Sequence, residues 1–532
     1  MNSEPIEQPV IEASGQAQVL PFDLPVLSRE IVALAAIVAL ADVVIYHGEG
    51  FGGLALFFAF GPLLLLMGSA VRRGGVTTPL LYLLLILLAA SMVWCGGPAL
   101  VVGGVALVLA FAMSLVGLVP GMLDLVVFAC VVVGAGGMSL IRYLRSIDRM
   151  IGGPKKAIWL RFGLPAVVVL GFAIIFLMAN PHEARTFFDG LGRIWNKLWL
   201  NLRDLFPPAS EFFFWLGTAM VAAGLLRPTA LLQIFPPVEA REQEVPVSES
   251  PMLIPFRNTL IAVITLFAAY LVFEFSSLWG RTFPKGFYYA GYAHEGAAWL
   301  TVALALATVV LSMIFRGDVI RDQRLPGLRR LAWIWSVENL LLAVAVYHRL
   351  LIYVGFNGMT RMRTVGFLGM TAVVGGFALV VWKITRNRGF LWLIQRQMWT
   401  LSAALLLYVV LPVDLLVHTY NVRRVLAGDL APVVQISVHP IDTGGLVALR
   451  PLLECDDEII RRGIGALLAE REAAIAPTGP AGNLFGWTRF QLSERLLRHQ
   501  MTAAPVPPPL RDNGAERELA LRRFHEYAYQ WY

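Results

Sequence analysis

Pro79-Leu80-Leu81-Tyr82-Leu83-Leu84-Leu85-Ile86-Leu87-Leu88-Ala89-Ala90-Ser91-Met92-Val93-Trp94-Cys95 carries no charged side chain along its whole length. Backbone N–H and C=O groups cannot stay unpaired in hydrocarbon, so a stretch of this kind leaves water only as a helix. About 20 such residues cross a hydrocarbon core of about 30 Å. Runs of similar character recur near 29–47, 51–70, 97–117, 119–141, 162–180, 211–226, 257–280, 293–315, 334–355, 364–384 and 399–417. The reading is an all-α fold: a polytopic transmembrane helix bundle of about 12 spans with a small helical soluble C-terminal tail.

Composition agrees. Hydrophobic residues make up 57% of 532 and charged residues 15%, against about 45–50% apolar usage in soluble domains. The organisation read from this is a polar N-terminal segment (1–28), an N-terminal membrane block (29–226), a Pro- and Glu-rich linker (227–256), a C-terminal membrane block (257–417) and the tail (418–532). The net charge of +7 does not signal nucleic acid, because Lys and Arg sit mostly in short loops between apolar runs, a pattern of membrane topology and headgroup contact. The acidic N-terminus lacks the basic region of a secretory signal, so the first span is expected to stay as an anchor. Cys95, Cys130 and Cys455 support neither a disulfide framework nor a thiolate metal site.

The abutting third, fourth and fifth runs, broken at Gly96-Gly97-Pro98 and Val119-Pro120-Gly121, make the span count the weak link in topology. The basic loops at 142–161, 316–330 and 386–396 have matching parity and are expected on the cytoplasmic side, which with twelve spans puts both termini on the other. Between the sixth and seventh spans, Phe187, Leu191, Ile194, Leu198, Leu202 and Leu205 form one stripe of an amphipathic helix, either an interfacial connector or a surface lever. The tail reads as a helical hairpin, with Leu446 to Leu453 and Ile459 to Leu468 flanking an acidic break. A final helix follows whose Ala520, Phe524, Tyr527, Ala528 and Trp531 face wants a partner.

Ionisable groups inside spans are the candidate polar core, since each costs about 2.5–3.5 kcal/mol at the bilayer centre unless partnered. They are Glu274, His294, Glu295, Glu338, His348, Arg349 and Asp414, all in the C-terminal block, while the N-terminal block offers Asp42 and Asp124 near helix ends. Arg349 lies eleven residues beyond Glu338, about 16 Å along one helix, so its partner must come from Glu274, Glu295 or Asp414. Such a set can act as a proton or ion relay, as an anion cavity, or as an ion pair locking helices. Adjacent helical residues diverge by about 100°, so His294-Glu295 and His348-Arg349 are not expected to bind a metal. Arg361 and Arg363 are candidate anion or headgroup contacts, equally readable as topology anchors. No phosphate-loop, HExxH or GxSxG signature is present, so no catalytic residue, cofactor or enzyme activity is expected.

Tyr292-Ala293-His294-Glu295-Gly296, Tyr347-His348-Arg349-Leu350-Leu351-Ile352-Tyr353, Asn357-Gly358-Met359-Thr360-Arg361-Met362-Arg363 and Tyr420-Asn421-Val422-Arg423-Arg424 together resemble an uncharacterised bacterial membrane family, domain of unknown function 4173, and its relative 4153. The resemblance covers about residues 255–470 and departs from the family pattern at Ala297, Ala298 and Trp299. It implies a multi-pass protein of the bacterial inner membrane and carries no known activity. The function expected is a non-enzymatic sensing, scaffolding or assembly protein whose tail engages a protein partner. The alternative is a secondary transporter or channel using the intramembrane carboxylates, His348 and Arg349. An enzyme acting on lipid-linked substrates ranks last.

Overall fold

Among the described residues every regular element is helical, as the hydrocarbon argument requires. The computed structural model describes residues 25–70, 74–118, 120–151, 207–228, 250–277, 289–315, 322–386, 388–475, 484–503 and 507–531, with single positions 165, 169 and 319. The membrane region comprises α1 (Ser28–Ala41), α2 (Phe51–Gly68), α3 (Thr77–Trp94), α4 (Pro98–Leu115), α5 (Met122–Ile151), α6 (Ala209–Leu226), α7 (Leu253–Ser277), α8 (Tyr289–Ile314), α9 (Leu325–Asn357), α10 (Arg361–Arg386) and α11 (Phe390–Val410). Ten of these, α2 to α11, are long and apolar enough to cross a membrane. Phe213, Leu266, Val272 and Trp299 stand well exposed on their outer faces, an arrangement that lipid satisfies and water does not.

Two of the expected runs are corrected by the structure, and four more are placed or fall outside the described residues. The run at 29–47 is the 14-residue α1 continued by a π-helical turn, Asp42–Tyr46, rather than one long helix. The run at 399–417 breaks at Leu411-Pro412, because proline has no N–H to donate and cannot continue a helix. Asp414 therefore leaves the last crossing helix for the first turn of α12 (Val413–Leu426). The abutting third to fifth runs are three separate helices, Pro98 standing in the first turn of α4 where its missing N–H costs nothing. The expected span at 162–180, the amphipathic stretch at 187–205 and residues 229–249 of the linker lie outside the described residues.

The N-terminal block packs around Leu85, Leu88, Met92, Phe111 and Phe128, and Leu406, Val409 and Val410 of α11 close on the same core. Gly136 and Gly224 let α5 and α6 approach backbone to backbone: a Cβ at Gly136 would lie 1.6 Å from the Met220 carbonyl oxygen. A buried lock joins three helix ends, where Arg227 Nε donates to Glu30 Oε2 at 2.9 Å and the Tyr143 hydroxyl donates to the same oxygen at 2.9 Å. The C-terminal block has two cores, one around Leu311, Trp335 and Val380 and one around Leu304, Val346 and Met370.

Beyond α12 the tail continues through α13 (Val433–Val438), α14 (Thr443–Leu449), a 3-10 turn (Arg450–Glu454), α15 (Glu458–Ile475), a second 3-10 turn (Gly486–Arg489), α16 (Leu492–Ala503), α17 (Pro508–Asp512) and α18 (Gly514–Tyr529). The α14–α15 pair is the expected hairpin, with Asp457 Oδ1 accepting from the Ile459 and Ile460 N–H groups to start α15. The apolar face of α18 is not left open. Phe524 inserts against Gly463 of α15, where a Cβ would lie 2.3 Å from its ring, and Ala520 and Ala528 join the same core. The partner that this face wanted is the chain's own hairpin.

The tail also folds back onto the membrane block. The Glu49 N–H donates to Thr488 Oγ1 at 2.8 Å, and Arg489 pairs with Glu49 at 2.6 Å. Gly444 abuts the Trp94 indole at the end of α3. One end of the bundle thus collects the ends of α1, α3, α9 and α11, the starts of α2, α6 and α10, and the tail.

Candidate functional site at the α9–α10 turn

The turn joining α9 to α10 is held open by one residue. Gly358 has φ +89, a left-handed conformation that favours glycine, and a Cβ there would lie 2.6 Å from Asn421 Oδ1. That closeness lets the fully buried Asn421 side chain grip Met359 from both sides: its Oδ1 accepts from the Met359 N–H at 2.7 Å and its Nδ2 donates to the Met359 carbonyl at 2.9 Å.

Three arginines complete the junction, each with a different task. Arg424 of α12 donates to the Val354 carbonyl at 2.7 Å and to the Gly355 carbonyl at 2.6 Å, capping the negative end of α9 with a cation. Arg363 is buried, donates to the Gly358 carbonyl and lays its guanidinium 3.7 Å from the centroid of the Tyr353 ring. Arg361 forks onto both oxygens of Asp414. Asp414 Oδ2 also accepts the Asp442 N–H at 2.8 Å, and Asp442 Oδ1 in turn accepts the Gly445 N–H at 2.8 Å to cap α14. A continuous polar chain therefore runs from the first residue of α10 into the hairpin of the tail.

His418 lies buried beside this chain, its ring against Gly445. Burial pushes its pKa down to about 4, opposed by the Asp414 carboxylate and reinforced by Arg361 and His439. Burial and then Arg363 and Arg361 lower His439 as well, whereas burial and then Asp414 raise the Asp442 carboxyl. At neutral pH the junction holds His418 uncharged.

The sequence-derived candidates fall into separate places. Glu274 of α7 and Arg349 of α9 meet: Arg349 Nε donates to Glu274 Oε1 at 2.9 Å, its Nη2 bonds Oε2, and the Tyr270 hydroxyl donates to Oε2 at 2.9 Å. Both charged groups are buried, and Gly296 of α8 leaves room for them, since a Cβ there would lie 2.1 Å from Arg349 Nη1. Glu295 is exposed, His348 is half-buried, and His294 lies in α8 with its side chain outside the described set. Glu338 is half-buried in α9 and its Oε2 has no hydrogen-bond partner. Asp414 belongs to Arg361, so the described candidates do not share one cavity, and Arg361 and Arg363 are engaged within the chain.

An apolar groove of about 700 Å³ lies between α8, α10 and α11, lined by Thr308, Gly369, Gly376, Leu401, Leu405 and Tyr408 among others. Its chemistry suits hydrocarbon and offers no polar constellation for a reaction. Asn421, Arg424 and Asp442 were not singled out from sequence as site residues. Asn421 and Arg424 stood inside the Tyr420-Asn421-Val422-Arg423-Arg424 motif, but only the fold shows that they reach the α9–α10 turn.

The family described as Domain of unknown function (DUF4153) matches residues 32–443. That interval takes in both membrane blocks and ends where α14 begins, one residue beyond Asp442. No curated protein and no solved structure matches the chain.

Proposed function

We propose, for a chain that belongs to the family of domain of unknown function 4153, that this multi-pass membrane protein is a non-enzymatic assembly or scaffolding protein of the bacterial inner membrane. Its membrane helices hold the helical tail in a set orientation for a protein partner. The observation that carries this reading is the α12 clasp, in which Asn421, Arg424 and Asp414 each bond the α9–α10 turn and so join the tail rigidly to the bundle. A rigid junction is what a presenting device needs, because a partner bound by the tail is then placed relative to the membrane without further ordering cost.

The transporter alternative draws less support. Arg349 and Glu274 are committed to each other by two hydrogen bonds in a buried pair, and Asp414 to Arg361, which suits a helix lock better than a moving relay.

The deciding experiment is in-cell cross-linking with mass spectrometry on three chains: the intact one, one lacking residues 411–532, and the Asn421→Ala/Arg424→Ala double variant. Partners cross-linked through the tail should vanish from the truncated chain and scatter or weaken in the double variant. An unchanged cross-link map in both removes the scaffold reading. Ion- or pH-driven flux in proteoliposomes abolished by Arg349→Met would replace it with transport.

A further inference from the structure

At the end of the bundle that carries the tail, Asp42, His47 and Glu211 turn their side chains toward one point, with one ligand atom from each lying within 4.8 Å of the others. His47 Nε2 is 3.5 Å from Glu211 Oε1 and 3.9 Å from Asp42 Oδ2. Ligands bonded at 2.0–2.2 Å to a tetrahedral ion stand about 3.4 Å apart, so a small contraction of this triad would surround one.

The local fold builds the arrangement. Asp42 opens the π turn at the end of α1, and the His47 N–H closes that turn onto the Asp42 carbonyl at 3.0 Å, bringing the imidazole back over the Asp42 side chain. Glu211 sits in the first turn of α6. Its side chain is 11% exposed, and among the described residues its carboxylate has no hydrogen bond and meets one ion-pair partner, His47. A carboxylate so buried, with one imidazole nitrogen at 3.5 Å as its contact, is costly unless a cation completes it. The outer contacts resemble those that orient metal ligands. Trp215 Nε1 donates to Asp42 Oδ1 at 2.8 Å, leaving Oδ2 toward His47, while Phe485 of the tail stacks on the imidazole with centroids 4.9 Å apart and planes 13° apart.

We propose that Asp42, His47 and Glu211 bind a divalent transition-metal ion of the Zn²⁺ or Mn²⁺ type, which clasps the α1–α2 turn to the start of α6 beneath the tail. One imidazole and two carboxylates are donors suited to these ions, and the two negative charges balance the ion's charge. Because Phe485 covers the imidazole, the metal also steadies the contact between tail and bundle.

The test uses the full chain in detergent, stripped with chelator, titrated with ZnCl₂ and separately with MnCl₂, then desalted and assayed for metal by mass spectrometry. One of the two ions should be retained at about one per chain with a raised melting midpoint. Glu211→Gln, which keeps shape and volume, and His47→Gln should each weaken binding at least tenfold. Trp215→Phe, which leaves the three ligand side chains in place, should weaken it about tenfold through loss of the bond to Asp42 Oδ1. Glu295→Gln should bind as the intact chain does. Retention of neither ion by the intact chain overturns the proposal, and so does unchanged stoichiometry and affinity in Glu211→Gln and His47→Gln.

Discussion

Replacing Arg349 alone and replacing it together with Glu274 should have opposite consequences. Both charged groups are buried, and the pair is held by two hydrogen bonds with a third from Tyr270. Arg349→Met leaves the Glu274 carboxylate without its cation inside a span. Breaking a buried pair in this way costs about 3–5 kcal/mol, and the insertion cost of one unpaired charge, about 2.5–3.5 kcal/mol, falls in the same range. Glu274→Met/Arg349→Met removes both charges, and the added side chains fill volume beside Leu271, Ala297 and Val346. The double variant should therefore recover most of the loss and match or exceed the parent, since well-packed apolar replacements of buried pairs are often neutral or stabilising by about 1–4 kcal/mol. Thermal unfolding in detergent, followed by circular dichroism on the parent, Arg349→Met, Glu274→Met and the double variant, measures the cycle. A double variant as unstable as Arg349→Met, or a single variant as stable as the parent, refutes the view that this pair locks α7 to α9.

Gly296→Ala should destabilise the same pair in milder form, because the new methyl occupies space now held by Arg349 Nη1, and Arg349→Met should suppress the effect in a melting assay. Arg424→Ala removes the side-chain donor from the Gly355 carbonyl and the second donor from the Val354 carbonyl, which keeps the Gly358 N–H, and a loss of about 1–3 kcal/mol should appear as faster hydrogen exchange at the α9–α10 turn. Phe524→Ala should cost about 3–5 kcal/mol and expose the tail, not the membrane blocks, to limited proteolysis. His418 gives the junction a pH dependence. Its folded pKa of about 4 lies below the unfolded 6.5, so the unfolded chain binds the extra proton between these values and the junction weakens as pH falls from 6.5. Asp442, raised by burial, acts in the opposite sense, and His439, lowered by burial, in the same sense, so the comparison of parent with His418→Gln isolates the His418 part: below pH 6.5 the variant should show a flatter melting profile.

The crossing helices were legible because hydrocarbon imposes a one-dimensional rule. A run such as 79–95 declares itself by length and lack of charge, with no knowledge of its neighbours. Breaks set by local chemistry were partly legible for the same reason: Gly96-Gly97-Pro98 parted two helices as written, whereas Pro412 ended the last crossing helix earlier than the apolar run suggested. The π turn at Asp42 left no mark in the pattern of apolar residues, so α1 read as longer than it is.

Charges behave differently, because a carboxylate inside a span reveals its need for a partner but not the partner's address. The sequence narrowed Arg349 to Glu274, Glu295 or Asp414, and packing of α7 against α9 chose Glu274 while the Pro412 break carried Asp414 to Arg361. The Asp42, His47 and Glu211 triad joins residues more than 160 positions apart, and Asn421 reaches Met359 across 62. Hydrophobic burial in lipid is a property of each segment alone and so is written along the chain. Ion pairing, capping and ligand geometry are properties of atoms brought within a few ångströms from distant segments, and only the assembled bundle and tail decide them.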